Sequence, residues 1–572
     1  MKIYVNQLGY LPDSSKVAVF AMPQEAASAG SVLSDNAQLY KTDGTCVFEK
    51  APVAFGPDTA SGDYIRHLDF SECTEPGTYY IKWNNETSYP FTVGDGLYGN
   101  LNVLLARALY FQRCGMELTE PYAGKFARKA CHTAPSVLWN EYQKNLAGEL
   151  SESEMKRFDI RGGWHDAGDY GRYTTAAACA LAHILYAYRF FPDAFKQSLN
   201  IPESGNGIPD ILNECRYELD WMLQMQAEDG SVYHKHTTKN HAGFVMPCED
   251  ADRLFLFPPS SMAAASFVAT MALASRIYRR YDAVFADRAL AAAKKSYAWL
   301  EAHPEFLFER IPDCHTGEYG DFSDKDERMW AAMELFRCTG DTAYLEKART
   351  YFDEHPNPVY YGWADISGFA GWALLEDELM KAPVSAETAP LSTKEQSFRT
   401  AYKELLQKEA NRLLGIIEES GYGVALGSKE YPWGSNLTVL NRAMLLGTTY
   451  LLEKNPAYYT GVVRQMDYLL GVNATDYSYV TGVGFHAFCN PHNRITVADG
   501  IEETIPGYVS GGANGHPGDE LAKKLIAPGT PPMKCFADRW ECYSLNEITI
   551  YWNSPAIFAA SFLDSVKPVT DK

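Results

Sequence analysis

Residues Arg161 to Tyr173, reading Arg-Gly-Gly-Trp-His-Asp-Ala-Gly-Asp-Tyr-Gly-Arg-Tyr, set two carboxylates three positions apart, Asp166 and Asp169, among glycines and aromatic rings. Small Ala167 and Gly168 lie between them, so a tight turn would aim both carboxylates into one cavity, with Trp164, Tyr170 and Tyr173 supplying apolar faces. That combination suits holding a water molecule beside a sugar ring. The same spacing equally suits Asp169 as the cap of a helix running from Tyr170 to Phe191, because carboxylates are favoured at helix N-termini. A further carboxylate, Glu547, follows Asn546 near the end of the chain and reads either as an acidic first-turn residue or as a proton donor to a leaving glycosidic oxygen. As a donor it must hold its proton against the field of a helix N-terminus. Apolar neighbours such as Tyr543 and Trp552, or nearby anions, would have to raise its pKa.

The elements that position these groups fall into two patterns. Up to Gly94 the chain runs in short alternating segments broken by turn residues. The candidate strands are Lys16–Phe20, Gln38–Thr42, Thr45–Glu49, Tyr64–Asp69, Thr78–Trp83 and Tyr89–Val93, at a density that suggests an immunoglobulin-like sandwich. From Leu97 the pattern becomes helical, with candidates at 97–114, 170–191, 207–227, 259–281, 284–302, 326–338, 342–354, 364–380, 394–419, 436–454, 457–471 and 547–564. Twelve helices suggest a toroid of six inner and six outer ones, the Ala-rich segments Thr174–Leu185 and Pro259–Ala274 lying inside. The long connections 115–169 and 472–546 are where chemistry is expected, since long loops in compact domains are uncommon unless functional. The domain expectation is therefore 1–94 and 95–572.

Composition narrows the function class. The formal charge of −21 disfavours nucleic acid and anionic membranes as partners, while 13% aromatic residues suits ring stacking on a neutral sugar. No segment has the apolar run of a membrane span or a signal peptide, so the chain reads as cytoplasmic, or as a secreted enzyme whose signal has been removed. The twelve cysteines form no disulfide framework, and Cys179 and Cys215 sit in apolar helical patterns as buried thiols. A monomer is expected.

Four ordered segments, Gly162–Tyr173, Pro491-His-Asn-Arg494, Gly511–Asp519 and Asn546-Glu547, resemble the signature segments of glycoside hydrolase family 9. Val5–Pro12 and Tyr89–Gly94 resemble the ends of the immunoglobulin-like domain in one branch of that family. The resemblance implies an all-β sandwich followed by an all-α (α/α)6 barrel, and inverting hydrolysis, mostly of β-1,4-glucans. By motif position it implies Asp169 as general base, Asp166 as the residue that helps hold the nucleophilic water, and Glu547 as general acid. It also places His492 and Arg494 at the substrate. An inverting mechanism of this kind keeps base and acid roughly 6.5 to 9.5 Å apart. Three departures bear on substrate: Asn493 stands where the family often has a second His, Trp552 where it has Tyr, and Phe485–Cys489 lacks the usual proline-rich form.

Cys114, Cys131, His132 and His165 offer a donor set suited to tetrahedral zinc, although their spacing is not that of a zinc finger. The same family branch is similar here, at Gln112–Gly115 and Ala130–His132, and implies a structural zinc. Thr316–Glu327 resembles a calcium loop of the family without EF-hand spacing, with Asp321, Asp324, Asp326 and Glu327 as its ligands; charged residues capping a helix would read the same. Asn206 and Asp210 either ligate or cap. Trp363, Trp433, Trp540, Tyr543 and Trp552 are candidate platforms for a sugar ring, against ordinary packing. The leading expectation is an endo-1,4-β-glucanase. The alternatives are an exo-acting β-glycosidase on short gluco- or glucosamine-oligosaccharides, and a non-catalytic carbohydrate-binding protein. A zinc hydrolase is disfavoured, because four protein ligands leave no position open to water.

Overall fold

The computed structural model describes residues 1–24, 36–380 and 392–569. The N-terminal part is a two-sheet sandwich. One sheet has the order β1 (Lys2–Tyr4), β2 (Val17–Pro23), β6 (Asp63–Asp69), β5 (Val53–Pro57). The other runs β4 (Cys46–Lys50), β3 (Ala37–Lys41), β7 (Gly77–Trp83), β8 (Glu86–Thr87), with β9 (Phe91–Val93) also paired to β7. Alternation puts Leu39, Tyr79, Ile81 and Trp83 inward, where they meet Phe20, Phe70 and Phe91 in one buried cluster. Phe20 and Trp83 meet edge to face at 4.9 Å. All six strands read from the sequence are present; β1, β5 and β8 are additional.

Twelve long helices follow, each overlapping one expected from the sequence. They are α1 (Leu97–Tyr110), α2 (Thr174–Phe190), α3 (Asp210–Gln224), α4 (Ser261–Tyr278), α5 (Ala283–Ala302) and α6 (Lys325–Thr339). The remainder are α7 (Thr342–Glu354), α8 (Gly368–Leu379), α9 (Thr393–Glu419), α10 (Ser435–Glu453), α11 (Pro456–Leu469) and α12 (Ile550–Ser565). Burial separates two kinds. In α2 fifteen of seventeen residues are buried and in α4 seventeen of eighteen, so the Ala-rich segments are enclosed on all sides. By contrast α5 buries one stripe, Phe285, Ala289, Ala293, Ser296 and Leu300, against α4. Among the described residues no helix is long and apolar enough to cross a membrane.

The chain forms two compact units. The first comprises residues 1–105, 407–492 and 502–572; the second comprises 106–406 and 493–501. Within the first, the sandwich is joined to the helical segments by buried polar contacts. Asn6 Nδ2 donates to Asp467 Oδ1 on α11 at 2.8 Å, the Gly421 N–H to Asp58 at 2.8 Å, and Lys534 to Asp63 at 2.7 Å. In the second unit a small sheet, β10 (Val137–Leu138), β13 (Phe255–Leu256), β12 (Lys235–Thr237), β11 (Arg172–Tyr173), lies at the entrance to α2.

Of the helix boundaries that differ from expectation, two matter to the site. Helix α2 begins at Thr174 because Arg172 and Tyr173 pair with His236 and Lys235, so Asp169 caps no helix. Helix α12 begins at Ile550, capped by the Thr549 side chain, and Glu547 instead ends a short turn of helix, Tyr543–Asn546. Glu547 therefore lies outside the first turn of α12, two residues before its cap.

Candidate active site

The loop carrying the two aspartates is held at nearly every residue. The His165 N–H donates to the Gln112 carbonyl at 2.7 Å, and Gln112 Nε2 donates back to the carbonyls of His165 (3.1 Å) and Ala167 (2.9 Å). Trp164 is buried, with its indole N–H on Glu214 at 2.8 Å and its backbone N–H on Glu218. Gly163 adopts φ +79°, and a Cβ there would come within 2.7 Å of the Trp221 ring, so this turn requires glycine. Arg494, which opens the short helix Arg494–Ala498, reaches across from the far end of the sequence. Its backbone N–H and guanidinium both donate to the Gly168 carbonyl, at 2.9 and 3.0 Å, and Nε donates to Ala242 at 2.8 Å. In this unit Arg494 thus braces the peptide between the two aspartates.

Asp166 and Asp169 are both buried, yet they differ in what they face. Asp169 Oδ2 accepts from the Gly171 N–H (3.1 Å) and the Tyr173 hydroxyl (3.4 Å), and pairs with His241 Nδ1 at 3.1 Å. Burial opposes ionisation, but His241 and the Arg494 charge outweigh it and hold the Asp169 carboxyl well below the usual carboxylate range. Asp166 is pushed well above that range, first by burial and then by the Asp169 charge. Its Oδ2 is met by the Tyr319 hydroxyl, while Oδ1 is buried without a hydrogen-bond partner. Two carboxyl groups so placed can divide the work on one water molecule, one taking its proton and the other orienting it. Trp363 belongs to this group through its edge-to-face contact with Tyr319 at 4.9 Å.

The remaining candidates gather in the first unit. Glu547 is partly buried; its carbonyl accepts from the Gly511 N–H at 2.9 Å, and its backbone bridges to His492. His492 Nδ1 donates to the Trp540 carbonyl at 2.6 Å, which fixes the ring. The His492 and Tyr543 rings lie 5.8 Å apart, and Tyr543 and Trp433 5.3 Å apart, with Trp433 51% exposed as a platform should be. Trp552 is not such a platform: it is buried, with its ring against Gly434 and Gly511, where any Cβ would fall within 2.9 Å of it.

Cys114, Cys131, His132 and His165 converge, and among the described residues they are the one cluster able to hold a metal ion. The Sγ atoms are 4.0 Å apart, Cys114 Sγ to His132 Nδ1 is 3.6 Å, and Cys131 Sγ to His165 Nε2 is 3.8 Å. All four side chains are buried, so the donor atoms face one another away from water. His132 Nε2 pairs with Asp250 at 3.2 Å, the outer partner that metal-binding histidines usually have. The four residues of the expected calcium loop form no cluster as tight as this one: Asp324 pairs with Arg328 at 2.9 Å, Asp326 accepts from the Ile366 N–H at 2.9 Å, and Glu327 Oε2 is buried without a hydrogen-bond partner. Asp210 and Asn206 likewise brace their own loop, through Ser198, Leu199 and Asn213. All the cysteines are free.

His241, Tyr319 and Asp250 escaped the sequence reading. Each comes from a connection far from the motif it serves, and only chain folding brings it there.

The sequence profile of glycosyl hydrolase family 9 matches residues 98–560, and that of the cellulase N-terminal ig-like domain matches 1–88. The chain belongs to glycosyl hydrolase family 9. It is a glycoside hydrolase, and its fold class is a β-sandwich followed by the family's (α/α)6 barrel. It is 38% identical to a cellodextrinase of Butyrivibrio fibrisolvens, across 98% of this chain and 99% of that one. A crystal structure of a thermostable endoglucanase from Alicyclobacillus acidocaldarius superposes with a TM-score of 0.87 at 32% identity, covering 99% of this chain and 100% of the other. A Zn-binding triple mutant of endoglucanase J30 superposes with a TM-score of 0.85 at 30% identity, over 97% and 100% of the two chains.

Proposed function

We propose that this family 9 member cleaves β-1,4-glucosidic bonds with inversion. Asp169 acts as general base, Asp166 holds the attacking water, and Glu547 donates the proton to the leaving oxygen. The observation that carries this reading is the placement of two buried aspartates in one braced turn with different surroundings. Asp169 is hydrogen-bonded by the Gly171 N–H and the Tyr173 hydroxyl and paired with His241, whereas Asp166 keeps one buried oxygen without a partner, where a water molecule can be held. In a single displacement, Asp169 takes the water's proton while oxygen attacks the anomeric carbon, and Glu547 protonates the departing glycosidic oxygen. Trp433, Tyr543 and Trp363 supply ring faces for the sugar, and His492 is oriented beside Tyr543 to hydrogen-bond it. Endo-acting hydrolysis of glucans is the first reading. A preference for short cello-oligosaccharides is the second, favoured by the full-length similarity to a cellodextrinase.

Zinc is the ion the Cys/His quartet fits. A tetrahedral site with metal–ligand bonds of about 2.3 Å to sulfur and 2.0–2.1 Å to nitrogen implies S···S and S···N separations of roughly 3.8 and 3.6 Å, close to those present. With four protein ligands the ion would be structural, pinning His165 next to Asp166.

The test is the anomeric configuration, by NMR, of products from cellohexaose. Inverted products, lost in Asp169→Asn and Glu547→Gln, are expected, and the product lengths separate the two substrate readings. Retained configuration, or undiminished turnover in either variant, overturns the assignment.

A further inference from the structure

One exposed connection, residues 238–253, touches both the aspartate pair and the metal-binding cluster. His241 faces Asp169 at 3.1 Å. One residue on, the Ala242 carbonyl accepts from Arg494, whose guanidinium also lies 5.3 Å over the Phe244 ring. Next, the Val245 carbonyl accepts from the Tyr170 hydroxyl at 2.5 Å. Finally Asp250 accepts from His132 at 3.2 Å and turns the chain by accepting from the Asp252 N–H at 3.1 Å. At its two ends the Lys239 carbonyl accepts from the His315 N–H at 2.9 Å and Arg253 pairs with Glu152 at 2.9 Å, and between them, of residues 239–252, only Pro247 is buried as a whole residue. Tyr170 is itself packed against the quartet, its ring 5.4 Å from His132 and 4.9 Å from His165. Two of the connection's attachments, at Val245 and Asp250, therefore end on Tyr170 beside the quartet and on His132 within it.

We propose that Asp250 is a positioning residue that moors this connection to the metal-binding His132 and so holds His241 against Asp169. The proposal rests on the reading of Asp169 as general base. The physical argument concerns local stability. A segment with few buried residues keeps one conformation through its anchors. Asp250, whose side chain is 5% exposed, is the anchor that lies on a residue whose other ring nitrogen faces Cys114. It therefore serves both ends, fixing the His132 ring with Nδ1 toward Cys114 and fixing the connection that carries His241.

The test compares Asp250→Ala, His241→Ala and their double variant in the zinc-loaded full-length protein, by amide hydrogen exchange, chelator competition for zinc, and kcat/KM on cellotetraose. Asp250→Ala should speed exchange across 239–252 and weaken zinc binding about 10- to 100-fold. Its kcat/KM should fall in the same sense as in His241→Ala, and the double variant should be no worse than His241→Ala alone, because both act through one contact. Tyr170→Phe, which removes only a hydroxyl, provides a second mooring variant should Asp250→Ala not fold. Exchange should rise around Val245 there too. Unchanged exchange in 239–252, or additive losses in the double variant, overturns the proposal. Exchange and zinc affinity read the mooring even if Asp169→Asn remains active, so failure of the base assignment is distinguishable from failure of this inference.

Discussion

Asp166 and Asp169 share a turn and are both buried, yet Asp169 is paired with the His241 imidazole while one oxygen of Asp166 has no hydrogen-bond partner. His241 makes that difference, which gives a prediction with a definite sign. The His241 contact lowers the Asp169 pKa, so removing it raises that pKa. In His241→Ala the acid limb of the kcat/KM profile should accordingly move to higher pH, with activity near neutrality less affected. An unmoved acid limb would show that His241 does not set the charge of Asp169. Asp169→Asn itself should lower kcat by about 10²–10⁴ at every pH, the usual worth of a positioned base, with the melting temperature little changed. The aspartates were legible because their motif is contiguous, whereas Cys114, Cys131, His132 and His165 lack zinc-finger spacing and stood out only through the family resemblance; the structure brings the four together. His241, Tyr319 and Asp250 were not legible. Their types are ordinary for loops, and their roles arise only when segments roughly 70 to 150 residues along the chain fold back. Trp552 failed in the opposite direction, since an aromatic near an acid motif reads as a platform until its burial is known.

At the level of elements, periodicity located every long helix because each carries a sustained apolar stripe or an apolar interior. What it missed has physical causes. Strand β1 is three residues long, and β5 contains a register shift between Ala54 and Gly56, so neither shows clean alternation. The start of α2 was misplaced because Arg172 and Tyr173 are recruited by β12, a partner outside any local window. Helix α11 carries an element-scale prediction. Asp467 is buried, accepts from Asn6 through Oδ1, and has no hydrogen-bond partner at Oδ2; burial raises its pKa to about 7. The unfolded value is about 3.9. Between the two the folded state binds more protons, so this group's contribution is full below about pH 4 and is lost as pH rises through 7. Asp467→Asn keeps the acceptor for Asn6 and removes the charge. Urea unfolding at pH 8 should show it more stable than the parent by roughly 2–4 kcal/mol, with little difference at pH 4. Equal stability at both values would mean that Asp467 stays ionised at no cost.

For the molecule as a whole, the two compact units divide the chemistry. Asp166, Asp169, His241 and the metal-binding quartet lie in the second; Glu547, His492, Tyr543 and Trp433 lie in the first, with the sandwich. The sandwich has its own core, and its contacts with the rest of that unit include buried polar ones at Asn6, Gln7, Asp58 and Asp63 beside the ring contact of Tyr4 with Tyr422. Deleting residues 1–94 would leave the Gly421 N–H, the Tyr422 hydroxyl and the Lys534 ammonium without their acceptors. Each such buried group costs about 1–3 kcal/mol, more when charged. The truncated chain should therefore melt several degrees lower, and hydrogen exchange should quicken first in 407–492 and 502–572. Metal removal should act on the other side. Chelation from the zinc-loaded protein should loosen 161–173 and 239–252 while the first unit keeps its protection, because none of its residues belongs to the quartet. The two perturbations thus have separable footprints in one exchange experiment. Should chelation loosen the sandwich as strongly as the aspartate loop, the ion would be holding the molecule together globally, and its assignment as a local pin on His165 would fail.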